Sequence, residues 1–232
     1  MAVYITGDIH GSVDGLFFRF LLRYNLRKSD TIIVLGDVGL NYCGDERDRK
    51  RKEELLCIFP CNFFFIHGNH EERPENIPAY CKRKFWKNWC YIEPEYPRIH
   101  FAIDGNRYEV GGKSILVLGG AYSVDKPYRL KAGAKWFPDE QIAPEIREKI
   151  KQESQKSPKI DIVLSHTCPL SWQPKDLFID INQSMVDNSM EKWLDEMEQI
   201  LEYDKWFFGH YHANRKMLDG KVTMLYNDVE KL

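Results

Sequence analysis

The sequence predicts an α/β fold with two stacked sheets. Three observations carry this reading. Three strand–loop–helix units run in series from the N-terminus, which implies a parallel sheet with right-handed crossovers. The middle of the chain instead holds short strands separated by Gly-containing turns, which suggests antiparallel hairpins. No Pro-, Gly- or Ser-rich linker is long enough to divide the chain, so one domain over residues 1–232 is the economical reading.

The elements follow in order. Residues 2–6 (AVYIT) are a β-rich run that stops at Gly7. Residues 12–28 place Leu16, Phe17, Phe20, Leu21 and Tyr24 at helical spacing. Residues 31–35 (TIIVL) are too short for a helix and end at Gly36. Residues 45–58 read as a charged helix, and residues 62–66 (NFFFI) as a third strand ending near Gly68. Phe85, Trp86, Trp89 and Tyr91 alternate with Lys82, Arg83, Lys84 and Lys87, which reads as a helix packed on the core with a basic outer face. The other reading of that segment is a stacking platform for single-stranded nucleic acid or a nucleotide. Residues 98–103, 107–110 and 114–118 are short strands separated by Asp104-Gly105-Asn106 and Gly111-Gly112. Residues 138–155 read as a solvated helix and 160–164 (IDIVL) as a strand running into Ser165-His166. Residues 185–203 form an amphipathic helix with Met190, Trp193, Leu194, Met197 and Leu201 on one stripe. Residues 205–208 lead into Gly209-His210, and 222–226 are a last strand.

Composition excludes several classes. Of 232 residues, 43% are hydrophobic and 29% charged, which argues against intrinsic disorder, collagen and coiled coil. Thirty-three basic against 35 acidic residues leave a net charge of −2, with no footprint for bulk nucleic-acid binding. No apolar run approaches the roughly 18 residues needed to span a bilayer, and the first residues lack a basic n-region. The six cysteines form no Cys-x-x-Cys pair and read as reduced thiols, so a cytoplasmic location is expected.

Five polar clusters each follow an apolar strand: Gly7-Asp8-Ile9-His10-Gly11, Gly36-Asp37, Gly68-Asn69-His70, Ser165-His166 and Gly209-His210-Tyr211-His212. Ligands of open α/β sheets bind beyond the carboxyl ends of the strands, so five strand ends can aim five clusters into one crevice. Alone, a Gly-Asp or Gly-Asn-His is usually a turn. Together they hold two aspartates, one asparagine and five of the seven histidines, a donor set suited to Mn, Fe, Zn or Co. Asp-x-His and His-x-His place two donors on one side of an extended segment. No cysteine lies in a ligand position, and His67 and His100 read as structural.

This motif set resembles that of the calcineurin-like metallophosphoesterases over residues 7–212. The resemblance implies a two-sheet β-sandwich flanked by helices, in four αββα layers. It implies Asp8 and His10 as ligands of a first divalent ion, joined by His212. Asp37 would bridge two ions, and Asn69, His166 and His210 would hold the second. It implies His70 as the catalytic residue, acting as general acid or stabilising the transition state. The reaction so implied is attack on phosphorus by a metal-bridged hydroxide, with His70 assisting the leaving group. Mn²⁺ is the leading ion, with Fe, Zn, Co, Ni and Mg as alternatives.

The chain departs from the protein Ser/Thr phosphatase branch. Gly36-Asp37-Val38-Gly39-Leu40-Asn41 contains no Asp-Arg-Gly, and His67 replaces an arginine before Gly68-Asn69-His70-Glu71. The missing arginines favour a phosphodiester substrate, a nucleotide among the candidates, over a phosphomonoester. Arg129, Arg73 and Lys126 are the candidate substrate contacts, and the plain alternative for Arg129 is a pair with Asp125. A phosphomonoesterase is the alternative activity, and a catalytically silent metal-binding scaffold the alternative class. A dinucleotide-binding oxidoreductase is excluded, because no Gly-x-Gly-x-x-Gly opens a helix after the first strand. The oligomeric state has no sequence signal.

Overall fold

Successive residues of a strand face opposite sides. In β2 (Thr31–Val34) both sides are apolar, with Ile33 in one core and Ile32 and Val34 in another. A strand buried on both faces needs a layer above and a layer below, and the computed structural model, which describes residues 1–21, 23–177 and 185–232, supplies them.

The first sheet has seven strands, and its parallel centre is β1 (Val3–Thr6), β2, β3 (Asn62–Phe65) and β6 (Ile99–Ala102). The second has six, with β12 (Val222–Met224), β10 (Glu202–Phe208), β9 (Lys159–Ser165) and β8 (Lys113–Leu118) parallel. Antiparallel strands finish the sheets: β13 (Val229–Lys231) on one, β11 (Arg215–Met217) and β7 (Arg107–Val110) on the other. Ile5, Ile33 and Phe64 of the first sheet meet Val117, Ile162 and Phe207 of the second in the central core. Outside the first sheet, Leu16 and Phe20 of α1 (Val13–Phe20) and Leu55 of α2 (Glu46–Ile58) pack on Ile32, Phe63 and Phe65. Outside the second, Ile150 of α4 (Pro144–Lys156) joins Met190, Leu194 and Met197 of α5 (Ser189–Ile200). Three cores between four layers make an αββα sandwich, as the sequence reading expects.

Local chemistry sets the boundaries. The Ser12 hydroxyl accepts from Gly15 N–H at the start of α1, and Asp45 accepts from Arg47 N–H at the start of α2. Pro144 begins α4, so this helix starts six residues later than the expected residue 138. Helix α1 ends at Phe20, well short of the expected residue 28; residue 22 lies outside the described residues.

Two expectations are corrected. Residues 82–91 do not form a helix. They form a β-hairpin of β4 (Cys81–Phe85) and β5 (Asn88–Ile92), turned by Trp86 and Lys87 at φ +46° and +67°. Asp104-Gly105-Asn106 is not a hairpin turn either: β6 belongs to the first sheet and β7 to the second, so here the chain changes layer. Gly111-Gly112 does close a hairpin, with Val110 opposite Lys113. Among the described residues, no helix is long and apolar enough to cross a membrane. All six cysteines are free thiols.

Candidate metal centre

The five polar clusters lie just past the ends of β1, β2, β3, β9 and β10, and the parallel direction of those strands brings them to one rim. Close approach there requires small residues. A Cβ on Gly68 would stand 2.1 Å from the Asp37 backbone N, and one on Gly36 would stand 2.3 Å from His166 Nδ1. The backbone also takes unusual conformations. His10, Asp37, His210 and His212 all have φ between +46° and +68°. Left-handed conformations at such residues cost free energy and persist where the surroundings enforce them, as at functional sites.

Hydrogen bonds aim the carboxylates. Asp37 Oδ1 accepts from the N–H groups of Asn69 and His70, both at 2.8 Å. Its Oδ2 is left facing His10 Nε2 at 3.8 Å. Asp8 Oδ1 accepts from His210 N–H at 2.9 Å, while Oδ2 is buried without a hydrogen bond and 3.3 Å from His212 Nε2. His10 Nε2 and His212 Nε2 are 2.9 Å apart. On the other side, His166 Nδ1–H donates to the Leu35 carbonyl at 2.6 Å, so Nε2 points inward and is the nitrogen that would give up its proton to an ion. That nitrogen is 2.9 Å from Asn69 Oδ1 and 3.5 Å from Asp37 Oδ1. The Asn69 amide nitrogen donates outward to Ser123 Oγ at 2.9 Å, which turns its oxygen inward.

Potential ligand atoms therefore face one another at about 3 Å. Two donors at right angles on an ion, each about 2.1 Å from it, are separated by about this distance. Asp8, His10 and His212 form one compact group, and Asp37, His166 and His210 a second; His10, Asp37 and His70 form a third that joins them. The donor set fits divalent ions: oxygen and imidazole nitrogen with no thiolate.

Electrostatics agrees with that fit. Burial opposes charge on Asp8 and Asp37, yet the neighbouring histidines and N–H donors hold both below the usual carboxylate range, Asp37 well below it. Burial also opposes charge on His166, but Asp37 and Asp8 raise it to about 9. Burial and the His166 charge push His210 down to about 3. Among the described residues, no lysine or arginine lines the cleft of about 350 Å³ above these groups. The two buried carboxylates draw a proton onto His166, the positive charge that a bound divalent ion would supply in its place.

His70 lies at the edge of the cleft. Arg129 Nη2 is 2.5 Å from its Nδ1, and burial lowers the ring's pKa. Arg129 is itself buried and held by Asp125 Oδ2 at 2.6 Å and the Lys135 carbonyl at 3.0 Å. It belongs to α3 (Lys126–Ala132), a helix where the sequence suggests a loop. The other two candidate contacts are placed elsewhere. Arg73 binds Asp104 Oδ2 and the Asp139 carbonyl, both at 2.7 Å, and lines a separate cavity. Lys126 Nζ stands 3.9 Å from the centre of the Trp136 ring.

Three supporting residues escape the sequence reading. The Arg19 guanidinium donates to the carbonyls of Gly7 and Asp8 at 3.0 and 2.7 Å and braces the first loop. The Glu71 carboxyl accepts from Gly68, Val38 and Gly39 N–H groups, tying the second loop to the third. Burial raises its pKa to about 8. Ser123 orients Asn69. Only Glu71 has a sequence signal, its place directly after His70.

Comparisons with known proteins bear on this centre. A family model for calcineurin-like phosphoesterases matches residues 1–214. A search of curated proteins returned no match. Among solved structures, a phosphopantetheinyl hydrolase from Mycobacterium tuberculosis is similar at 14% identity and a TM-score of 0.48, over 97% of this chain and 88% of that one.

Proposed function

The chain belongs to the calcineurin-like phosphoesterase family and is a phosphoric ester hydrolase; from that premise we propose that it cleaves phosphodiesters at a two-metal centre. The reading takes residues 1–232 as one catalytic domain. Asp8, His10 and His212 hold one ion, Asn69, His166 and His210 the other, and Asp37 lies between both groups. Mn²⁺ is the ion assigned, and the mix of oxygen and imidazole donors also admits Fe, Zn, Co, Ni and Mg. When bound, two divalent ions supply activation of water and neutralisation of charge on the phosphoryl oxygens.

The protein's own groups do the rest. The N–H groups of Asn69 and His70 keep Asp37 Oδ2 turned to the cleft. The Leu35 carbonyl keeps the His166 proton on Nδ1, so Nε2 stays a donor atom for an ion. Arg129 Nη2 lies 2.5 Å from Nδ1 and 3.1 Å from Nε2 of His70; with the shorter contact as the hydrogen bond, Nδ1 accepts and the ring proton is on Nε2. That N–H is the group available to the departing oxygen.

The observation that carries the diester preference is the absence of lysine and arginine from the cleft lining among the described residues. A dianionic monoester needs more positive charge than a singly charged diester. Val124, Leu177 and Val186 at the rim offer apolar room for a second ester group. One observation favours phosphomonoesters instead: Arg129 touches His70, which lines the cleft, and so sets a guanidinium fork beside it. The test is hydrolysis of matched aryl mono- and diesters by metal-stripped protein with Mn²⁺ restored. Faster Mn²⁺-dependent diester turnover is expected. Faster monoester turnover would overturn the preference and assign Arg129 to the substrate.

A further inference from the structure

The β4–β5 hairpin has a face that the hydrolytic reading leaves unused. Cys90 and Ile92 of β5 point into the core between the sheets. By alternation, Trp89 and Tyr91 point the other way, Tyr91 half-buried against the outer core, and Lys82 and Lys84 of β4 stand directly opposite them. Lys82 Nζ lies 5.5 Å from the Tyr91 ring centre, and Lys84 Nζ lies 5.4 Å from that of Trp89. Both lysines are exposed, and Trp89 keeps 47% of its surface in solvent. Of the cations in this hairpin, only Lys87 has a carboxylate partner among the described residues, Glu109 at 2.6 Å. The chain as a whole is slightly acidic, at −2, whereas residues 82–87 carry four cations and no carboxylate. A cavity of about 330 Å³ adjoins it, lined by Lys82, Asn88, Trp89, Ile103 and Asn106.

Lysines alone on an edge strand would be explained as protection against edge-to-edge pairing. An exposed tryptophan works against that protection, because it adds apolar surface to the edge. Cations and aromatic rings alternating on one extended face instead match the two needs of an unpaired polynucleotide: charge for the phosphates and ring faces for the bases. The flexible lysine stems let the ammonium groups leave the rings for phosphates and uncover the ring faces.

We propose that the outer face of the β4–β5 hairpin, formed by Lys82, Lys84, Trp89 and Tyr91, binds single-stranded nucleic acid without sequence preference. This surface is separate from the metal centre and stands whichever ester the centre cleaves.

The test is fluorescence anisotropy of a labelled single strand of about 12 nucleotides, within the range of single-strand site sizes. Phosphorothioate linkages keep its charge and resist hydrolysis. Trp89→Ala is expected to weaken binding roughly 5- to 100-fold, the range for a lost stacking partner, and Trp89→Tyr to retain most of the affinity. Lys82→Glu with Lys84→Glu is expected to flatten the salt dependence by about 1.4 in log–log slope, at about 0.7 per phosphate. All three proteins should hydrolyse an aryl phosphate ester at the wild-type rate, which shows that they fold. The proposal is overturned if the single strand does not bind at low salt. It is equally overturned if a duplex of the same length binds as tightly, or if Trp89→Ala changes nothing while anionic vesicles compete. Either result would mark the face as a general polyanion surface.

Discussion

Two cavities open near the third strand, and they differ in kind. The larger, about 860 Å³, is lined by Arg73, His67 and Asp104; the smaller, about 350 Å³, sits over the five polar clusters. In the larger one the charges close on each other: Arg73 meets Asp104 at 2.7 Å and donates to the Asp139 carbonyl. In the smaller one potential metal-ligand atoms of five strand ends converge within about 3 Å of one another, and four candidate ligands take left-handed backbone conformations. Volume therefore does not mark the chemistry. Convergent oxygen and imidazole donors that a divalent ion can satisfy do.

Substitutions should separate the two cavities by what they damage. The largest effect is expected at Asp37, which both candidate ion sites share. Asp37→Ala should lower Mn²⁺ content and cut turnover by about 10³-fold or more, beyond the 10- to 100-fold typical of a group that only orients a ligand. His70→Ala should lose about 10²- to 10⁴-fold in turnover and keep its metal, since its proposed part is with the leaving oxygen. Equal metal loss in the two variants would make His70 a ligand. Arg73→Met in the larger cavity should leave turnover within a few-fold. It removes the cation beside the Asp104 carboxylate, which is 7% exposed and keeps, among the described residues, only the Gly119 N–H, so denaturant unfolding should show a loss of about 3 kcal/mol.

His100 gives the next effect. Burial lowers its pKa to about 4, so the folded state resists a proton that the unfolded chain accepts near its ordinary value of about 6.5. Its contribution is whole above pH 6.5 and is lost as pH falls toward 4, a change of about 3 kcal/mol in all. His100→Leu should flatten that part of the stability profile. Arg129→Met gives the smallest effect, about tenfold in turnover through a loosened His70. A much larger loss on monoesters than on diesters would show that Arg129 grips the substrate.

How far these features could be read in advance follows the range of the interactions. The clusters at the strand ends were legible because the strands are short apolar runs stopped by glycine, and parallel strands deliver their ends to one side. The β4–β5 hairpin was not. Its turn uses Trp86 and Lys87 at positive φ, without the Asn-Gly or Asp-Gly signal such turns usually carry, and Phe85 and Trp89 four residues apart imitate a helical stripe. The layer change at Asp104-Gly105-Asn106 is a tertiary event that resembles a hairpin turn locally. Helix α3 had a stop signal in Gly133, left-handed at φ +66°, but only seven helical residues to announce it. For Arg73 and Arg129, residue type was known and partners were not. Asp104 and Asp139 hold the first, and Asp125 with His70 hold the second.

The central claim is that five strand ends build one centre for two ions around Asp37. Anomalous diffraction from crystals soaked in Mn²⁺ tests it most directly. The account predicts two peaks on either side of the Asp37 carboxylate, one beside Asp8, His10 and His212 and one beside Asn69, His166 and His210. A single ion, or ions bound away from Asp37, would contradict it.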